Sequence, residues 1–142
     1  MKNHIVSFSG GRTSAYMVWL FEQKRMREDI NVEFIYCDTG AEHENTYSFI
    51  RDVVKHYGIN LTCLRCVVNP EKGIGTTYKV VPLEECQPDL KPFQDMILKY
   101  GNPSFVAPLC TREMKSTPSD KYCNEKYGHG NYVKWLGIRV DE

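Results

Sequence analysis

The run HIVSFSGGRTSAYMVWLF, residues 4–21, changes character at its centre. His4 to Phe8 is short, apolar and β-rich, and Ala15 onward is spaced like a helix. Between the two stand Gly10 and Gly11, among the hydroxyl side chains of Ser7, Ser9, Thr13 and Ser14. A strand that becomes a helix through glycine leaves the first helical amides uncovered by any Cβ, with the positive end of the helix dipole behind them. An anion fits there. Ser9, Thr13 and Ser14 add hydroxyls and Arg12 a guanidinium, so phosphate is the natural guest. The plainer alternative is a tight turn capped by Ser9 or Thr13 with nothing bound.

The rest of the chain supplies the frame. Val32 to Cys37 (VEFIYC) repeats the strand character of the first run, and Asn60 to Val68 (NLTCLRCVV) repeats it again. A helix is expected over Ala15 to Glu28, buried in its first turns and solvated at EQKRMRED. A second carries Ile50, Val53, Val54 and Tyr57 on one face and ends at Gly58. This β-α-β-α-β series predicts an α/β fold with a Rossmann-like, doubly wound parallel sheet, in which ligands sit beyond the carboxyl ends of the strands. Residues 69–109, broken by Pro and Gly, are expected to be an irregular excursion holding one helix, Pro92 to Tyr100. A helix near Thr111 to Lys126 and a strand from Tyr132 to Ile138 complete a single domain of residues 1–142.

Composition narrows the function classes. The 142 residues are 42% hydrophobic and 25% charged, and 18 Lys and Arg balance 18 Asp and Glu. No global field draws the chain to nucleic acid or membrane, so an anion site has to be local. There is no membrane-spanning run and no signal-peptide core, which predicts a cytoplasmic protein with reduced thiols. Cys63 and Cys66 form a CxxC, but they lie in an expected strand where residues three apart diverge, so packing thiols are the default reading over a metal site. His4, His43, His56 and His129 show no ligand spacing.

SFSGGRTS lacks the GK[ST] ending of a Walker loop and the third glycine of GxGxxG. It resembles the SGGxDS pyrophosphate loop (PP-loop) of the adenine nucleotide alpha hydrolase superfamily, which includes ATP pyrophosphatases, thiouridylases and phosphoadenylyl-sulfate (PAPS) reductases. Three further segments resemble the PAPS reductase-like branch. They are YCDTGAEHENTYSFI, with Asp38, Thr39 and Gly40 followed by Glu44, Thr46 and Tyr47; CTREMKSTP, from Cys110 to Pro118; and WLGIRVDE, from Trp135 to Glu142. The SGGRTS form looks most like short members from phages and mobile elements.

The resemblance implies roles. Ser7 to Ser14, with Ser9, Gly10, Gly11, Arg12 and Thr13 between them, would hold phosphate, while Asp38, Thr39 and Gly40 would lie beside adenine and ribose. Arg112, Lys115 and Arg139 would converge on a terminal phosphate or sulfate. The implied ligand is an adenine nucleotide, ATP or PAPS. Thr13 stands where the superfamily usually has Asp, which argues against magnesium-assisted cleavage of ATP. Nothing follows Glu142 in this sequence, where reductases carry a nucleophilic cysteine, so thiol reduction of PAPS by the usual route is not expected. The readings left standing are a reductase-like, pyrophosphatase or sulfurtransferase-type enzyme, a non-catalytic nucleotide binder, and an interaction module acting as one half of a homo-oligomer.

Overall fold

A computed structural model describes residues 2–101 and 112–137, without the side chain of Arg112. Its strands are β1 (Asn3–Ser7), β2 (Asn31–Asp38), β3 (Leu61–Val67), β4 (Thr77–Val81) and β5 (Val133–Trp135). The α-helices are α1 (Arg12–Arg27), α2 (Glu44–Tyr57), α3 (Lys91–Tyr100) and α4 (Thr117–Tyr127), the last entered directly from a π-helical turn at Arg112–Ser116. The sheet order is β4-β3-β2-β1-β5. β1 runs parallel to both β2 and β5, and β2 runs parallel to β3. The expected α/β fold with a mainly parallel sheet is therefore present.

The alternation of each strand sorts the core onto two faces. Val6, Phe8, Phe34 and Tyr36 pack with Ala15, Val18 and Phe21 of α1 and with Tyr47, Ile50 and Val53 of α2. Ile5, Ile35 and Leu64 face the other way, against Cys123 of α4. Each Val, Ile, Leu or Phe among them taken fully out of water contributes about 1.5–3 kcal/mol. Glu33 on β2 pins α4 to the sheet by accepting hydrogen bonds from Thr62, Tyr122, Tyr127 and Lys126. Burial alone would raise its pKa, but these bonds outweigh burial and hold the carboxyl below its ordinary range.

Several elements differ from expectation. The excursion at residues 69–109 holds a strand, β4, which is antiparallel to β3 and pairs Val67 with Thr77 through to Cys63 with Val81. TTYKVV carried that signal in its β-branched and aromatic residues, but the surrounding Pro and Gly masked it. Helix α1 begins at Arg12 rather than Ala15, so Arg12, Thr13 and Ser14 are its first turn. It is also one-sided, since Tyr16, Trp19 and Leu20 are exposed. Cys63 lies in the core under α1 and α2, whereas Cys66 packs with Met96 and Met114 on the opposite face, as the strand period requires.

Candidate functional site

The chain steps outward from β1 to β2 and β3, then returns to the far side of β1 with β5. That reversal makes the β1/β5 boundary the topological switch point, where an open α/β sheet has its crevice. A cavity of about 190 Å³ lies there. Ser7, Phe8 and Ser9 border it from β1 and its exit, Ile35 and Cys37 from β2, and Lys134 from β5. Ser9 belongs to both this cavity and the glycine loop.

The loop is built by its own side chains. Ser14 is buried, and its hydroxyl donates to the Gly11 carbonyl (3.2 Å), accepts from the Ser9 amide (3.1 Å) and pairs with the Ser9 hydroxyl (2.9 Å). Ser14 thus braces the turn. The Ser9 amide is spent on it and is not free for a ligand. Gly10 has φ +87°, and a Cβ there would stand 2.7 Å from Thr46 Cγ2, so glycine is required for the chain to pass α2. Gly11 differs. It is the N-cap of α1 at φ −97°, no side chain caps the helix, and a Cβ would meet only Ser9 Oγ at 3.6 Å. Gly11, Arg12 and Thr13 are exposed, with the positive end of a 16-residue helix behind them.

At the neighbouring exit of β2 the same kinds of residue are closed up. Asp38 is fully buried. Its Oδ1 accepts from the Gly40 amide (3.0 Å) and the Tyr47 hydroxyl (2.6 Å), and its Oδ2 accepts from Arg65 Nε (2.8 Å). Arg65 stands in register with Asp38 across the β2–β3 pair and reaches on to Asp89 and to the Gln87 carbonyl. Burial alone would lower the Arg65 pKa, but its bonds to Asp89 and Asp38 hold it above the ordinary value. The Asp89 carboxyl is held low, chiefly by Arg65. Thr39 accepts from the Ala41 amide, and Gly40, at φ +72°, passes so near Asp89 and Pro92 that a Cβ would meet Asp89 Oδ1 at 2.8 Å.

Lys115 borders the cavity and lies 4.0 Å from Glu42, while Lys134 borders it and bonds Asp120 (2.7 Å). Cys37 donates to the Lys115 carbonyl (3.5 Å), and burial pushes its thiol up to about 12, so it is a wall and not a nucleophile near neutrality. Gly137 runs against Ser14, with a Cβ there 3.3 Å from Ser14 Cα, which brings the chain leaving β5 beside the start of α1. Cys110, Arg139 and the Arg112 side chain lie outside the described residues. Sequence reading missed Arg65, Tyr47, Asp89 and Lys134 as organisers of this edge. Arg65 was visible only as the residue between two cysteines, and its pairing depends on strand register.

A mainly parallel α/β sheet with a glycine turn and a cavity at its switch point is the arrangement of the open α/β class, whose members bind ligands beyond the carboxyl ends of their strands. Residues 3–91 match the phosphoadenosine phosphosulfate reductase domain, and the chain belongs to that family. Over 142 residues it is 49% identical to the uncharacterized nin region protein ORF290 of Escherichia phage lambda, covering 98% of this chain and 49% of that protein. It is 29% identical over 138 residues to the uncharacterized protein MJ0066 of Methanocaldococcus jannaschii, covering 97% of this chain and 23% of that protein. The chain thus spans half or less of the length of these relatives. No solved structure matches it significantly. Among the described residues no helix is long and apolar enough to cross a membrane.

Proposed function

We propose that this protein binds an adenine nucleotide, with its anionic end on the first turn of α1 at Gly11–Thr13 and its base in the cavity at the β1/β5 boundary. The observation that carries this reading is the adjacency of an uncapped, exposed helix start and an apolar-walled cavity, joined through Ser9. An anion alone needs only the helix start, and an apolar ligand needs only the cavity. A nucleotide uses both. Membership of the reductase domain family supports the same class of ligand.

Binding without metal-assisted cleavage of ATP is the reading Thr13 favours, because the loop then lacks a carboxylate for magnesium. Asp38 does not replace it, since both its oxygens are bonded within the protein. Among the described residues no cluster of three His, Cys, Asp or Glu is placed to hold a metal ion. Catalysis in this protein would fall on the α-phosphate or sulfate anhydride of ATP or PAPS, with amides and cations stabilising oxyanion charge. Calorimetry with ATP, AMP, PAPS and adenosine bisphosphate tests the binding claim. Micromolar or tighter binding of at least one is expected, and no heat with any of the four removes the proposal. Release of pyrophosphate or sulfite then separates an enzyme from a binder.

A further inference from the structure

Among the described residues, two buried side-chain polar atoms have no hydrogen-bond partner, the hydroxyls of Tyr36 and Ser119. Tyr36 belongs to the core under α1 and α2. Ser119, in the first turn of α4, is only 3% exposed and borders the switch-point cavity. An unpaired buried hydroxyl costs stability, because it has given up water and gained nothing in exchange. Among the described residues no group bonds it. The Cys123 thiol, one turn further along α4, is close enough to be influenced by this hydroxyl but is not its hydrogen-bond partner. Burial raises that thiol to about 11, although Lys134 and the Ser119 hydroxyl favour its ionised form.

The cavity's other walls say what kind of partner would fit. Phe8, Ile35, Cys37 and Leu136 present apolar surface, and the amines of Lys115 and Lys134 are already near Glu42 and Asp120. Ser7, Ser9 and Ser116 border the space as well, but Ser119 carries the one hydroxyl among the described lining residues that is both buried and unpartnered. A mainly apolar wall with such a group suits an uncharged ring that carries a well-placed donor or acceptor. We infer that Ser119 is the specificity-determining residue of this cavity, its hydroxyl bonding a ring nitrogen or exocyclic group of the ligand's heteroaromatic base. This rests on the nucleotide reading above and adds to it the residue that distinguishes the base from any other apolar body.

The test compares ADP with inorganic pyrophosphate, which share a diphosphate but not a base, on the native chain and on Ser119→Ala. The native chain is expected to bind ADP more tightly than pyrophosphate. Ser119→Ala weakens ADP roughly tenfold, the scale of one lost hydrogen bond, and leaves pyrophosphate unchanged. Without ligand, the variant melts no lower than the native chain, because the hydroxyl it loses had no partner. A serine that only supported the fold would lower the melting temperature and weaken both ligands alike. ADP affinity unchanged in Ser119→Ala, with the native chain binding both ligands, overturns the Ser119 assignment and leaves the loop reading intact. Native chain that binds neither ligand overturns both.

Discussion

The exits of β1 and β2 lie side by side at one edge of the sheet, and both carry the small polar residues typical of ligand sites, yet they are in opposite states. Beyond β2, Asp38, Thr39 and Gly40 are buried, and the Asp38 carboxylate is bonded to Gly40, Tyr47 and Arg65. Beyond β1, Gly11, Arg12 and Thr13 are exposed, and no side chain caps the helix they begin. Buried polar groups have to be satisfied from within, whereas an uncapped helix start keeps its capacity for something from outside. The β2 exit is therefore architecture that holds the edge in shape, and the β1 exit is the surface that edge presents.

The sharpest way to break this comparison is to open the closed side. Arg65→Leu leaves the fully buried Asp38 carboxylate facing an apolar side chain, and a loss of about 3–5 kcal/mol in urea unfolding is expected. If the loss is under 1 kcal/mol, the network is not structural. The next largest effect separates the two glycines. Gly10→Val forces a β-branched residue to positive φ and into Thr46, costing about 1–3 kcal/mol. Gly11→Val, at an extended φ with only Ser9 Oγ near, stays within about 1 kcal/mol of the native chain.

Smaller effects refine the picture. Ser14→Ala removes the hydroxyl that braces Ser9 and Gly11, and a loss of about 1 kcal/mol by thermal unfolding is expected. The smallest effect is a pH dependence. Asp89 has its folded pKa depressed, chiefly by Arg65, below the ordinary aspartate value near 3.8. Its contribution to stability is therefore present above that value and fades as pH falls through the lower folded value. The melting-temperature gap between the native chain and Asp89→Asn should be flat from neutral to mildly acidic pH and close below pH 4. A gap that widens on acidification would show that Arg65 does not hold Asp89 ionised.

Much of this was legible in the sequence because it is local. Strand character at VEFIYC, the helical spacing from Ile50 to Tyr57 and the glycine turn after HIVSF are properties of short windows, and each appears as an element where the reading placed it. What escaped depends on partners far along the chain. The β4 strand exists because β3 offers it an edge, and its Pro- and Gly-rich neighbours hid the TTYKVV signal. The resemblance put Asp38 beside adenine and ribose, and its pairing with Arg65 was not visible because register alone sets the two opposite each other. Ser14 read as a ligand donor because its bond to Ser9 closes only once α1 begins at Arg12.

The claim on which the account stands is that the first turn of α1 holds the anionic end of a ligand. Calorimetric titration of inorganic pyrophosphate into the native chain and into Gly11→Val tests it most directly, with unfolding temperature measured on the same samples. The variant is expected to stay within about 1 kcal/mol of the native chain in stability but no longer to bind pyrophosphate. Undiminished affinity in Gly11→Val would contradict it.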